Sequence, residues 1–224
     1  MHTPEDNFLT TGGDTAIPEP SLRRLPLYHY YLKTISAPES SNVSCTQIAG
    51  ALNLVPIQVR KDLAYTGIIG KPKTGYVKGE LMAAIEAFLG WNNRSDAILF
   101  GAGHLGLALL SYPGFKEYGL NIVAGIDVDP DKAGYEINGK KILPYSKAES
   151  LIRRLHIKIG IIAVPAAKAQ VTADLMVAAG VRAIWNFAPE KVIVPDTVIV
   201  QHENLASSLA VLSKKLDLVS KNAK

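Results

Sequence analysis

The chain is poor in residues that build covalent or metal-held frameworks. Its 224 residues include one cysteine, Cys45, so an intrachain disulfide and a cysteine-held metal are both excluded. No cation precedes Cys45 closely enough to activate its thiol, and it reads as a small core filler on a helix. The five histidines are scattered. His156 and His202 read as surface positions, and no His, Glu or Asp grouping has metal-ligand spacing. No apolar run approaches the ~20 residues of a membrane span. The first twenty residues lack the basic and apolar stretches of a secretory leader, and residues 1–16 read as a mobile acidic tail. These absences predict a cytoplasmic protein with no membrane partner. Repeats and low-complexity segments are also missing, as is any nucleophile with a plausible base.

Hydrophobic residues make up 48% of the chain, and the formal net charge is +4. That content is ordinary for a globular protein with a real core. The positive charge is concentrated. From Gln58 to Lys78, Arg60, Lys61, Lys71, Lys73 and Lys78 stand against Asp62 as the single acid. Such density is either an electrostatic footprint for phosphate or a solvated charged face, and charge alone does not separate the two.

The pattern changes near Gly90, and residues 90–94 are the candidate linker. The predicted division is a head over 17–89, a second domain over 90–203 and a terminal helix with its tail over 204–224. In the head, Leu22, Leu25, Tyr28, Leu32 and Ile35 recur at helical spacing, with Pro26 marking a nearby start or a bend. Ser44 and Gln47 form a capping box opening a helix to Leu52. A tight turn at 53–55 follows, and Pro56 suits the first position of a third helix to Ala64. A short helix, a tight turn and a short basic helix form a helix-turn-helix pattern. The glycines and lysines of 67–76 suit a hairpin wing, and Leu81, Ile85 and Phe88 mark one more amphipathic helix.

Beyond Gly90, strands and helices alternate as in a parallel α/β sheet. Predicted strands are 97–100, 121–126 (ending in Asp127), 159–164, 181–185 and 197–200. Predicted helices cover 105–110, 169–179 (closed by Gly180) and 205–216. Gly101-Ala102-Gly103-His104-Leu105-Gly106 sits between a strand and a helix, and Asp127 ends the next strand, the context a dinucleotide fingerprint requires. Gly101 permits the tight turn, Gly103 admits a pyrophosphate, and Gly106 lets helix and strand pack closely. The helix N-terminus favours the phosphates. Asp127 can accept hydrogen bonds from the adenosine ribose hydroxyls and would repel a 2′-phosphate, favouring NAD(H) over NADP(H). His104 reads as a phosphate contact or a solvent-facing loop residue. With a cofactor site but no catalytic acid and no substrate domain, the pattern points to a sensor. An NAD-dependent oxidoreductase with a helical N-terminal extension is the alternative, and a nucleotide or coenzyme A binding module is a third reading.

Several motifs in order resemble the redox-sensing transcriptional repressor family Rex over residues 17–216. They are Arg24-Leu25-Pro26-Leu27-Tyr28, Gln58-Val59-Arg60-Lys61-Asp62-Leu63, Gly75-Tyr76, and the glycine loop with Tyr112-Pro113-Gly114-Phe115. Asp127-Val128-Asp129-Pro130, Val164-Pro165-Ala166 with Ala169-Gln170, and Asn186-Phe187-Ala188-Pro189 follow. The resemblance implies an N-terminal winged helix-turn-helix domain and a Rossmann-type doubly wound parallel sheet, an α/β class, with a C-terminal helix that dimerises. It also implies a repressor whose inverted-repeat operator is released by NADH. Gln58, Arg60, Lys61, Lys71, Lys73, Gly75 and Tyr76 would contact DNA, with Arg60 and Lys61 in the major groove. Val164, Pro165, Asn186 and Phe187 would line the nicotinamide end, with Tyr112 beside them. Pro165 also reads as a strand terminator, Phe187 as core, and Asp62 as the ion-pair partner of an arginine. The leucines of the last helix fit a monomer core or a subunit interface. Family members usually carry arginine at the position of Tyr30 and aspartate at that of Asn204, a charged pair thought to join Tyr112 in linking head, cofactor domain and terminal helix. Its loss predicts weaker coupling between NADH and DNA.

Overall fold

The computed structural model describes Phe8–Leu9 and residues 17–222. Contacts divide the chain into two units, residues 1–93 and 94–224. Of the tail expected over residues 1–16, only Phe8–Leu9 lie within the described residues. They form strand β1, antiparallel to β2 (Ile17–Pro18).

In the first unit, α1 (Glu19–Thr34) begins with Pro20 in its first turn and continues through Pro26. Then come β3 (Asn42–Val43) and α2 (Cys45–Leu52), whose start carries the full Ser44/Gln47 capping box. Such a cap stabilises a helix by about 1 kcal/mol. Asn53 closes α2 in the left-handed region at φ 53°, turning the chain into α3 (Pro56–Ala64). β4 (Tyr76–Val77) pairs with β3 and leads into α4 (Lys78–Phe88). One face of each helix meets in a common core built on Leu25, Tyr28, Ile48, Val59, Leu63 and Leu81. Cys45 packs at its edge, where burial pushes its thiol pKa up, as befits a filler.

The second unit is a seven-stranded sheet. Its strands are β5 (Ser95–Phe100), β6 (Leu120–Asp127), β7 (Glu136–Ile137), β8 (Lys140–Pro144), β9 (Ile159–Ile162), β10 (Ala183–Asn186) and β11 (Ile199–His202). The spatial order is β11-β10-β9-β5-β6-β8-β7, all parallel except the β7–β8 hairpin. The helices are α5 (His104–Ser111), α6 (Ala148–Leu155), α7 (Ala166–Ala179) and α8 (Leu205–Asn222). Strand alternation separates the faces: Ala97 and Leu99 pack with Leu110 of α5, while Ile98 and Phe100 pack with Leu151 of α6 and Met176 of α7. Order reverses between β5 and β9, which creates a crevice beyond their C-terminal ends. The β7–β8 hairpin and α6 occupy a stretch where the sequence reading places no element. β9 stops at Ile162, two residues short of the predicted strand end, so Val164 and Pro165 follow it at the crevice, Val164 half-buried against the core and Pro165 exposed.

Candidate functional site

A cleft of about 940 Å³ opens at this crevice, within the size range of small-molecule and cofactor sites. Gly101, Gly103, His104 and Leu105 line it after β5, Asp127 after β6, Val164 and Pro165 after β9, and Phe187 after β10. Gly101 has φ +95°, and a Cβ there would lie 2.4 Å from the Ala163 carbonyl oxygen. A Cβ on Gly106 would lie 1.7 Å from the Gly101 oxygen, so that glycine sets the closeness of α5 to the turn and does not line the cleft. At Gly103 a Cβ would meet nothing within 4 Å. That space, at the N-terminus of α5 with its free amides, suits a pyrophosphate.

Asp127 is only 9% exposed. Its Oδ2 accepts from the Ala102 amide at 2.7 Å and from Lys132 Nζ at 3.2 Å, and its Oδ1 accepts from the Asp129 amide at 2.9 Å. Burial pushes the carboxyl pKa up, but the amides of Asp129 and Ala102 and the Lys132 ammonium outweigh it and hold Asp127 below its ordinary value. The group is therefore a fixed anion. Ala102 is itself buried and acts through that amide.

Two residues expected at the nicotinamide end stand elsewhere. Asn186 is wholly buried and does not line the cleft. Its side chain donates to the Glu190 carbonyl at 2.7 Å, meets His202 Nδ1 at 3.0 Å and accepts from the Ala188 amide at 3.0 Å. It thereby shapes the turn that presents Phe187. Tyr112 is 48% exposed outside the cleft, edge-on to Phe115, which meets Trp185, which in turn meets Phe187. Phe187 is half-buried and serves both core and cleft. Sequence reasoning missed Lys132, Tyr145, Lys168 and Thr172 in the lining. Only Lys132 carried a signal, five residues after Asp127 in a segment that folds into consecutive Asx turns at Asp127 and Asp129.

In the head, Val59 and Leu63 hold α3 against the core, leaving Arg60 and Lys61 exposed and Gln58 half-buried. Neither Arg60 nor Lys61 forms an ion pair among the described residues. Asp62 is 1% exposed and takes both arms of Arg24, Nε to Oδ2 at 2.6 Å and Nη2 to Oδ1 at 2.8 Å. The Tyr28 hydroxyl donates to the same Oδ2 at 2.6 Å. Asp62 thus clamps α3 to α1. The wing is a small loop closed by Lys71 and Gly75, whose amides and carbonyls exchange hydrogen bonds of 2.7 and 2.9 Å. Lys71 and Lys73 are exposed. Gly75 is half-buried, and a Cβ there would come within 2.4 Å of the Val43 oxygen. Tyr76 corrects the DNA-contact expectation: it is buried, with its ring packed over Gly70. Lys78 leaves the basic patch as well. It is 6% exposed and its Nζ donates to the Ala37 and Ile35 carbonyls at 2.7 and 3.2 Å.

Known proteins match both units. A family model described as a CoA binding domain matches residues 92–190, and one described as a putative DNA-binding protein N-terminus matches residues 16–64. A redox-sensing transcriptional repressor Rex from Treponema denticola is 48% identical over 193 residues, 86% of this chain and 92% of its own. The chain belongs to the Rex family. A second Rex, from Carboxydothermus hydrogenoformans, is 44% identical over 88% of this chain and 95% of its own. Among solved structures, RSP, a Rex-family repressor, in complex with β-NAD⁺ and operator DNA superposes with a TM-score of 0.84 at 33% identity, covering 94% of this chain and 98% of that one. RSP in complex with β-NADH gives 0.82, with 94% and 100% covered. The Rex fold thus accounts for the winged-helix head, the doubly wound sheet and the terminal helix together. No helix among the described residues is long and apolar enough to cross a membrane.

Proposed function

We propose that this Rex-family protein is a cytoplasmic transcriptional repressor, not an enzyme, that binds an inverted-repeat operator through its head and releases it when NADH fills the cleft. The observation that carries this reading is the pairing in one chain of a helix-turn-helix exposing Arg60 and Lys61, unpaired among the described residues, with a cleft that ends on the fixed anion Asp127. The residues fit a dinucleotide. Gly101, Gly103 and the α5 N-terminus would hold the pyrophosphate, Asp127 the adenosine ribose, and Val164, Pro165 and Phe187 the nicotinamide end. On the DNA side, α3 would enter the major groove, with Arg60 and Lys61 on phosphates or base edges, Gln58 behind them, and Lys71 and Lys73 of the wing on the backbone. Tyr76 and Gly75 would then position the wing.

A two-fold operator calls for two heads. The α8 helix supplies the surface for it: Leu209, Leu212, Leu216 and Val219 are 62–66% exposed along it, too large an apolar stripe to leave to water. We infer a homodimer through α8. Tyr30 is 64% exposed, and Asn204 caps α8 by accepting from the Ser207 amide at 3.1 Å. With neither residue charged, the expected coupling of NADH to DNA is below tenfold.

The test is fluorescence anisotropy of purified protein on a labelled inverted-repeat duplex with NAD⁺, NADH or no nucleotide. Specific binding weakened by NADH supports the proposal, and a change of tenfold or more (~1.4 kcal/mol) refutes the weakened coupling. Tight NADH binding without specific DNA binding refutes the repressor reading. Production of NADH from NAD⁺ with an alcohol or 2-hydroxy acid would favour the oxidoreductase.

A further inference from the structure

The ribose end of the cleft already contains a cation bound to the anion meant for the ribose. A carboxylate offers about four acceptor positions, and Asp127 has three in use: the Ala102 amide, the Asp129 amide and Lys132 Nζ. A ribose diol brings two donors. The two amide bonds belong to the glycine loop and to the Asx turn, and releasing either would undo the loop that forms the site. Lys132 is the displaceable partner. Its side chain is 34% exposed, and a second carboxylate, Asp129 Oδ2, already lies 3.7 Å from Nζ. Asp131 is exposed on the same turn. Lys168, the other lysine in the cleft lining, stands at the start of α7.

We propose that Lys132 is a specificity-determining residue that decides between NAD-type and NADP-type dinucleotides together with Asp127. With Asp127 ionised, Lys132 balances one of the clustered carboxylates, yields its place on Oδ2 to a ribose hydroxyl and moves onto Asp129. A 2′-phosphate arriving there would meet a net negative site and be rejected. Without the Asp127 charge, the same ammonium becomes a free phosphate ligand on the correct side of the ribose. The site is then one charge removed from the opposite preference. This inference rests on reading the cleft as a dinucleotide site.

The experiment measures NADH and NADPH dissociation constants by cofactor fluorescence on the full chain and on Asp127→Asn, Lys132→Met, the double variant and Lys168→Met. Asparagine keeps an acceptor for the Ala102 amide. The expected result is that Asp127→Asn improves NADPH relative to NADH by about tenfold or more, and that adding Lys132→Met removes most of that gain. Lys132→Met alone should weaken NADPH more than NADH, by about threefold or more in the ratio. Lys168→Met should leave the ratio within about twofold, because Lys168 stands on α7 after β9 and not on the Asp127 turn after β6, and a cation there affects both dinucleotides alike. Equal NADPH affinity in Asp127→Asn and the double variant overturns the proposal, as does a Lys168→Met effect matching that of Lys132→Met. If Asp127→Asn does not fold, the two lysine variants decide by their ratios. A wild-type chain that binds no NADH overturns the cofactor reading itself and this inference with it.

Discussion

Replacing Asp62 with alanine should unfold the head far more readily than its single lost side chain would imply. The carboxylate sits at 1% exposure between α1 and α3. Its removal strands the Tyr28 hydroxyl, on a residue with no exposed surface, and the Arg24 guanidinium, whose side chain is 18% exposed. Breaking a buried ion pair from one side costs about 3–5 kcal/mol, mostly the penalty of the uncompensated charge. Arg24 keeps some access to water, so the lower figure applies. For a unit of this size each kcal/mol moves Tm by roughly 4–8 °C, which gives a fall of at least about 12 °C. The assay exploits the two tryptophans, Trp91 in the first unit and Trp185 in the second. In a Trp185→Phe background, Trp91 fluorescence reports melting of the head alone. The double variant Arg24→Met with Asp62→Leu, which removes both charges, should melt closer to the parent than Asp62→Ala does. A fall below about 3 °C for Asp62→Ala would refute the clamp, and so would a double variant as unstable as the single one.

The same clamp gives the head an acid limit. Burial pushes the Asp62 pKa up, but Arg24, Tyr28 and Ser21 outweigh it and hold it below its ordinary value. Its stabilisation is therefore complete above the unfolded pKa of ~3.9 and is lost as pH falls through the lower folded value. Head Tm should stay flat from about pH 7 to 5 and drop below about 4, with a shallower drop in Asp62→Asn. Two glycines should separate binding from folding. Gly103→Ala should leave Tm unchanged while weakening NADH at least about tenfold, because its Cβ enters open space a pyrophosphate would use. Gly106→Ala, with its Cβ 1.7 Å from a carbonyl oxygen, should lower Tm of the second unit as read by Trp185. A Leu212→Lys/Leu216→Lys variant should elute at half the native mass by light scattering; an unchanged mass rejects α8 as the subunit interface. Lys73→Ala should weaken operator and random duplex alike and reduce the salt slope by about 1.

What was legible in the sequence was what short-range geometry controls. Ser44 and Gln47 lie three residues apart, so their capping box is local chemistry. Pro56 at a helix start, Gly180 at a helix end and the glycine loop between β5 and α5 follow from backbone preferences that need no distant partner. Asp127 was found because strand length and the loop's spacing place it. The unbroken apolar run of residues 97–100 in β5 marks a strand buried on both faces. Tertiary structure decided the rest, because a polar side chain's partner is chosen by packing. Asp62 meets Arg24 from 38 residues away. Tyr76 and Lys78, next to a basic wing in sequence, turn inward because β4 pairs with β3 and the Lys78 ammonium finds the carbonyls that follow α1. Asn186 points into the turn after β10 because His202 arrives on the neighbouring strand. The Lys132 ammonium reaches Asp127 only because consecutive Asx turns fold the chain back over the strand end. Residue types and spacings are written in the chain; which donor reaches which acceptor is settled only when strands and helices bring them within 3 Å in a space that excludes water.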